Sequence, residues 1–332
     1  MTFALVRATT PPTSLARVAG SRDDAAPLRI GVVQHAWQPD IAALTAELDE
    51  AVALAAAEGA QIVFLPELTL SRYPADTLPD GRADVLAEDL ETGPTRAWAA
   101  AAAAANDVFV HASLYERTGD DDGRGLNTAI VVAPSGEIVA KTHKLHIPVT
   151  AGYYEDKYFR AGPAETPYPV HSIPGIPAKL GLPTCWDEWF PEVARAYSLQ
   201  GADVLVYPTA IGSEPDHPEF DTQPLWRQVI VGNGISNGTF MVVPNRTGSE
   251  TRPDGTPGNT FYGSSFVSDP YGRILAEAPR DEKAVLVVDL DLPQRSDWLE
   301  LFPFLSTRRP DTYGVLGTDG TGSATEAAET AR

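Results

Sequence analysis

The chain has one cysteine, Cys185. It stands in Leu180-Gly181-Leu182-Pro183-Thr184-Cys185-Trp186-Asp187-Glu188-Trp189-Phe190-Pro191-Glu192. An apolar run precedes it, and a helical pattern begins within a few residues. A thiol on such a strand–turn–helix corner is presented above a sheet. Backbone N–H groups nearby, that of Trp186 among them, can stabilise an oxyanion there. The start of the helix favours the thiolate. Taken alone, a lone cysteine reads as a buried structural residue. A catalytic thiol also needs a base and an electrophilic partner. His143 and His146 flank Lys144 in Lys141-Thr142-His143-Lys144-Leu145-His146-Ile147-Pro148, and histidine is the usual base. A carboxylate competes with them: Phe64-Leu65-Pro66-Glu67-Leu68 ends another apolar run on Glu67. Glu67, Lys144 and Cys185 each fall just past a predicted strand, so they can converge at one edge of a sheet. The carboxylate would take the thiol proton, and the ammonium would stabilise thiolate and tetrahedral oxyanion.

Taken in order, these three stretches resemble the nitrilase superfamily of carbon–nitrogen hydrolases, whose catalytic set is Glu-Lys-Cys. The resemblance runs from about Leu28 to Tyr313. It implies an α/β fold, a four-layer α-β-β-α sandwich, with no metal or organic cofactor and a homodimer or larger homo-oligomer. It also implies a second glutamate near the site. The matching residue is Glu155, in Gly152-Tyr153-Tyr154-Glu155-Asp156-Lys157-Tyr158-Phe159. Within the superfamily the chain looks most like the N-carbamoylputrescine amidase and β-ureidopropionase branches. The stretches that carry this are Cys185 to Arg195, Tyr207 to Pro215, Asn245 to Gly248, and Phe302 to Leu305 with Arg308-Arg309-Pro310. The implied reaction is hydrolysis of an N-carbamoyl compound through a thioester on Cys185, with release of ammonia. Tyr73, Tyr154, Glu188, Thr209, Ile211 and Asn245 are candidate substrate contacts. Glu188, Glu214 and Asp216 could neutralise an amine tail, whereas a carboxylate-bearing substrate would need Arg72, Arg195 or Arg246. A small-amide amidase, a β-ureidopropionase or an N-carbamoyl amino-acid hydrolase are alternatives of the same chemistry, and a non-catalytic binding protein is one of another class. Pro183 and the Val231–Asn237 stretch depart from the family pattern.

The elements that must position these residues alternate. Short apolar runs at Leu28–Gln34, Gln61–Leu65, Asp107–Tyr115, Asn127–Ala133, Asp203–Tyr207, Phe240–Val243 and Val285–Leu290 predict buried strands. Ile41–Glu58, Asp84–Ala105, Phe190–Gln200 and Trp226–Asn237 carry helical spacing, and turns at Pro134-Ser135-Gly136 and Asp269-Pro270-Tyr271-Gly272 predict two hairpins. Strand–helix units mixed with hairpins imply a mixed sheet or two stacked sheets under helices. Residues 1–26 and 314–332 lack periodicity and read as tails around one domain over 27–313.

Composition bounds the rest. The 332 residues are 43% hydrophobic, enough for a full core, and carry a formal net charge of −20. Such a chain is repelled by nucleic-acid backbones and anionic membranes, which leaves a small-molecule partner. No apolar run is long enough to cross a membrane, and residues 1–20 lack the apolar stretch of a secretory signal. One cysteine permits no internal disulfide and fits a reducing cytoplasm.

Overall fold

A computed structural model describes residues 3–17, 26–214, 216–217 and 219–318. Seven strands form one sheet in the order β1 (Ala4–Ala8), β15 (Ala284–Leu290), β2 (Leu28–Gln34), β3 (Ile62–Phe64), β4 (Phe109–Glu116), β5 (Leu126–Val132), β6 (Ile138–His143). A second sheet runs β14 (Ile274–Glu277), β13 (Phe266–Ser268), β10 (Phe240–Val243), β9 (Val204–Val206), β8 (Lys179–Gly181), β7 (Val170–Ser172). The hairpin β11 (Thr247–Thr251) with β12 (Pro257–Tyr262) stands apart from both. Both sheets are mixed: β2, β3 and β4 run parallel, while β4–β5–β6 and β10–β13–β14 are antiparallel meanders.

Alternation along the strands accounts for the layers. In β2, Ile30 and Val32 face the second sheet, where they meet side chains such as Leu180, Val204, Val206 and Val242. Val33 points the other way, onto α1 (Ile41–Ala57) and α2 (Pro94–Asn106). On the far side Leu205, Met241 and Phe266 pack on α3 (Pro191–Leu199) and α4 (Gln223–Asn237). The result is helix, sheet, sheet, helix. Gly31 lets β2 lie against α1, because a Cβ there would come within 2.7 Å of the Ala55 Cβ.

Local chemistry sets the element ends. The Asp40 side chain accepts from the Ala43 N–H at 3.1 Å and caps α1. Pro94 stands in the first turn of α2, so the helix begins there and not at Asp84 as helical spacing suggests; 83–86 is one isolated 3₁₀ turn. Pro183 disturbs no ladder, because β8 already ends at Gly181.

The tail expectation needs correction. Ala4–Ala8 is an edge strand parallel to β15, and Ser14 and Arg17 bond to Asp297 and Asp291 near α5 (Pro293–Leu301). An edge strand buried on neither face fully shows no alternation, hence its absence from the sequence reading. At the other end Gly314–Gly317 is a short helical turn. The remainder of both predicted tails, 1–2, 18–25 and 319–332, lies outside the described residues. No helix among the described residues is long and apolar enough to cross a membrane.

Candidate active site

Glu67 follows β3 and Lys144 follows β6 of the first sheet. Cys185 opens the helical turn Cys185–Trp189 beyond β8 of the second. The three side chains meet where the two sheets face each other. Glu67 and Lys144 are fully buried, and Cys185 is 6% exposed.

The centre is an alternating chain of charges. Lys144 Nζ donates to Glu67 Oε1 at 2.9 Å and to Glu155 Oε2 at 2.6 Å. Glu155 Oε1 accepts from the Tyr73 hydroxyl at 2.8 Å. Asn127 Nδ2 donates to Glu67 Oε1 at 2.7 Å, and the Ala210 N–H to Glu67 Oε2 at 3.0 Å. Both oxygens of Glu67 are thus held, and its orientation is fixed before any substrate arrives. Burial would push the Lys144 ammonium down, but Glu155 and Glu67 hold it well above the usual lysine range. Burial raises Glu155 to about 7 against the pull of Lys144. Burial, with Glu67 beside it, pushes the Cys185 thiol well above its ordinary value. Both effects favour the neutral thiol over the thiolate.

Two left-handed residues aim these groups. Leu68, at φ 51°, turns the chain directly after Glu67, and Cys185 itself sits at φ 37°. Such backbone costs about 1–3 kcal/mol per residue and needs surroundings that impose it. At Leu68 they are evident: its N–H donates to Ser113 Oγ at 3.1 Å, and the buried Arg246 guanidinium donates to the carbonyls of Glu67 and Leu68. At Cys185, the backbone N–H donates to the Pro208 carbonyl at 3.1 Å. Asp187 ties this turn to the lysine loop. Its carboxylate accepts from the Thr184 N–H at 3.1 Å, the His146 N–H at 2.9 Å and His146 Nδ1 at 2.7 Å. The N–H of Trp186 lies in the first turn of the helical segment opened by Cys185, where no intrahelical acceptor exists.

Cys185 and Glu155 open onto a cavity of about 220 Å³. Trp186, Trp189, Tyr153 and Ile211 form its apolar walls, Pro148 and Thr150 one rim, and Glu214 the remaining acidic group. Of the six predicted substrate contacts only Ile211 reaches this wall, together with the near-site Trp186 and, of the acidic residues expected to meet an amine tail, Glu214. Tyr73 lies behind it, bonded to Glu155. Asn245 is spent on backbone: it donates to the carbonyls of Ile211 and Gly263 and accepts from the N–H groups of Ile211 and Arg246. Thr209 donates to the Tyr207 and Pro244 carbonyls. Tyr154 is half-buried outside the cavity. Glu188 is buried within the Cys185–Trp189 turn, where it accepts from Trp226 Nε1 at 2.8 Å. The Val231–Asn237 stretch does not line the pocket either: Asn233 donates to the Glu188 carbonyl and Asn237 accepts from Ser198 and Arg295. Sequence reasoning missed Asn127 and the bracing by Asp187 and Arg246. Most of the partners that tie them to the site are distant in sequence: Glu67 is 60 residues from Asn127 and 179 from Arg246, and His146 is 41 from Asp187.

A family model described as carbon–nitrogen hydrolase matches residues 29–299. The chain belongs to that family, the nitrilase superfamily, and is an amidohydrolase with its α-β-β-α fold. Among individual proteins, it is 35% identical over 293 residues to the N-carbamoylputrescine amidase of Arabidopsis thaliana, covering 87% of this chain and 95% of that one. It is 33% identical over 294 residues to a citrullinase of Francisella tularensis subsp. tularensis, covering 87% and 98%. A crystal structure of a carbon–nitrogen hydrolase from Helicobacter pylori superposes with a TM-score of 0.79 at 33% identity, over 88% of this chain and 99% of that one.

Proposed function

We propose that the protein hydrolyses a ureido compound that carries an ammonium group, with Cys185 as nucleophile, Glu67 as general base and acid, Lys144 as electrostatic partner and Glu155 as the carboxylate that orients Lys144. Glu67 takes the thiol proton as sulfur attacks the ureido carbonyl. Lys144 and the Trp186 N–H stabilise the oxyanion. Glu67 returns the proton to the departing nitrogen, and ammonia leaves. The thioester R–NH–CO–S on Cys185 is then attacked by a water that gives its proton to Glu67, and thiol and carbamic acid separate. The carbamic acid breaks down to carbon dioxide and the amine. One water is consumed per turnover, and nothing is oxidised or reduced.

The observation that carries the substrate class is Glu214 on the cavity wall. Besides Glu155, it is the one carboxylate bordering the described cavity. The arginines that a carboxylate-bearing substrate would need are engaged elsewhere. Arg246 binds the backbone at Glu67, Arg72 pairs with Asp76, and Arg195 donates to the Ser236 carbonyl on the outer helix layer. Both relatives are named for ureido compounds with an amino group; N-carbamoylputrescine carries no carboxylate, as this cavity favours, whereas citrulline carries one as well.

The test is ammonia release from N-carbamoylputrescine, citrulline, N-carbamoyl-β-alanine and short amides. Cys185→Ala should abolish turnover without unfolding. Glu214→Gln should raise KM for the amine-bearing substrate by about tenfold and leave kcat little changed. Full activity in Cys185→Ala would overturn the mechanism. Preference for N-carbamoyl-β-alanine would overturn the substrate class alone.

A further inference from the structure

Glu188 takes no part in the chemistry above, yet it lies three residues past the nucleophile and is fully buried. Its Oε1 accepts from Trp226 Nε1 at 2.8 Å, and its carbonyl accepts from Asn233 Nδ2 at 3.0 Å. Both partners belong to α4. Its Oε2 has no hydrogen-bond partner, and no cation among the described residues pairs with the carboxyl. The nearby ammonium, Lys144, is already shared between Glu67 and Glu155. The titratable groups around Glu188 come from several elements: Glu67 after β3, Lys144 after β6, Asp187 and Cys185 in its own turn, Tyr207 after β9 and Tyr262 of β12. Apart from Lys144, each of these is acidic. A buried carboxylate with one neutral donor, no paired cation and mostly acidic neighbours has little to offset its desolvation, and a neutral carboxylic acid has far less desolvation to offset.

We propose that Glu188 works as a neutral carboxylic acid, a positioning residue that locks the Cys185 turn to α4 without adding charge beside Glu67 and the thiol. Burial, with Glu67 and Asp187 nearby, raises its pKa well above the carboxyl range, which agrees with the geometry. A charged Glu188 would oppose thiolate formation at Cys185, so the uncharged form is the one compatible with attack. This inference rests on the proposed role of Cys185.

The first experiment is a difference infrared spectrum of wild type minus Glu188→Gln near pH 8. The expected result is the carbonyl band of a protonated carboxyl group. Carboxylate bands alone would overturn the proposal, whatever the role of Cys185. The second is a kinetic series. Glu188→Gln, uncharged and of the same shape, should keep kcat within about threefold. Glu188→Leu, which leaves Trp226 Nε1 and the turn unanchored, should lose about tenfold or more in kcat with little change in KM. Equal losses in Gln and Leu would mean that the charge is needed, and full activity in Leu would reduce Glu188 to packing. If Cys185→Ala were active while the protonated band remained, the catalytic reading would fail and the protonation state would stand.

Discussion

Lys144 is held between two buried carboxylates that differ in their hydrogen bonding. Glu67 accepts three hydrogen bonds, from Lys144, Asn127 and the Ala210 N–H. Glu155 accepts two, and burial lifts its pKa to about 7. Below that pH Glu155 carries a proton and can no longer accept from both Tyr73 and Lys144. The lysine then loses one of its two anchors. The value of kcat/KM, which reports groups of the free enzyme, should therefore fall as pH drops through about 7. In Glu155→Gln that acid limb should vanish, on a plateau about ten- to a hundredfold lower. A limb that survived the substitution would have to be assigned to another group.

At the scale of elements, the site depends on braces between segments far apart in sequence. Asp187 receives the Leu145 N–H as well, at 3.3 Å, in addition to its bonds from Thr184 and His146. It therefore joins the loop after β6 to the turn after β8. Asn at this position keeps the shape but offers one acceptor oxygen and brings an NH₂ against N–H donors. Asp187→Asn should lower stability by about 1–3 kcal/mol and kcat by an order of magnitude, read by thermal denaturation and by turnover. An unchanged kcat would show that the two loops hold their places without the carboxylate. These braces also mark the limit of what the sequence reveals. Glu67, Lys144 and Cys185 are legible because each falls just past a predicted strand, and β2, β10 and β15 are legible because they are short, mostly apolar runs. Asn127 and Asp187 look like ordinary polar residues until the fold closes around them. Asn245 and Thr209 misled for the converse reason: polar residues beside an active-site strand suggested substrate contact, but their bonds go to backbone. The helix expected over 84–105 shows the same limit locally, since helical spacing of apolar residues continues upstream of Pro94, where the helix begins.

At the scale of the whole molecule, the same burial that orders the core sets its tolerance of acid. His111 in β4 and His35 just past β2 are fully buried, and burial lowers each to about 3 from an ordinary 6.5; Arg246 adds to the effect at His35. Between those values the unfolded chain binds a proton at each histidine and the folded chain does not. The stabilisation is complete above about pH 6.5 and is lost as pH falls toward 3, at up to about 1.4 kcal/mol per pH unit for each histidine. Glu155 works in the opposite sense, because its folded pKa is raised: its contribution is present below about 4.5 and lost as pH rises toward 7. Below pH 4.5, then, the histidines act without that opposition. Stability should fall steeply with acidification from 4.5 to 3.5. His111 packs on Phe64 with ring centroids 5.6 Å apart, so an apolar side chain suits its place. In His111→Leu the slope of unfolding free energy against pH, from denaturant titrations at several pH values, should drop by about one proton. An unaltered slope would mean that His111 is already protonated within the fold, and the acid limit would then have to be sought in the carboxylates alone.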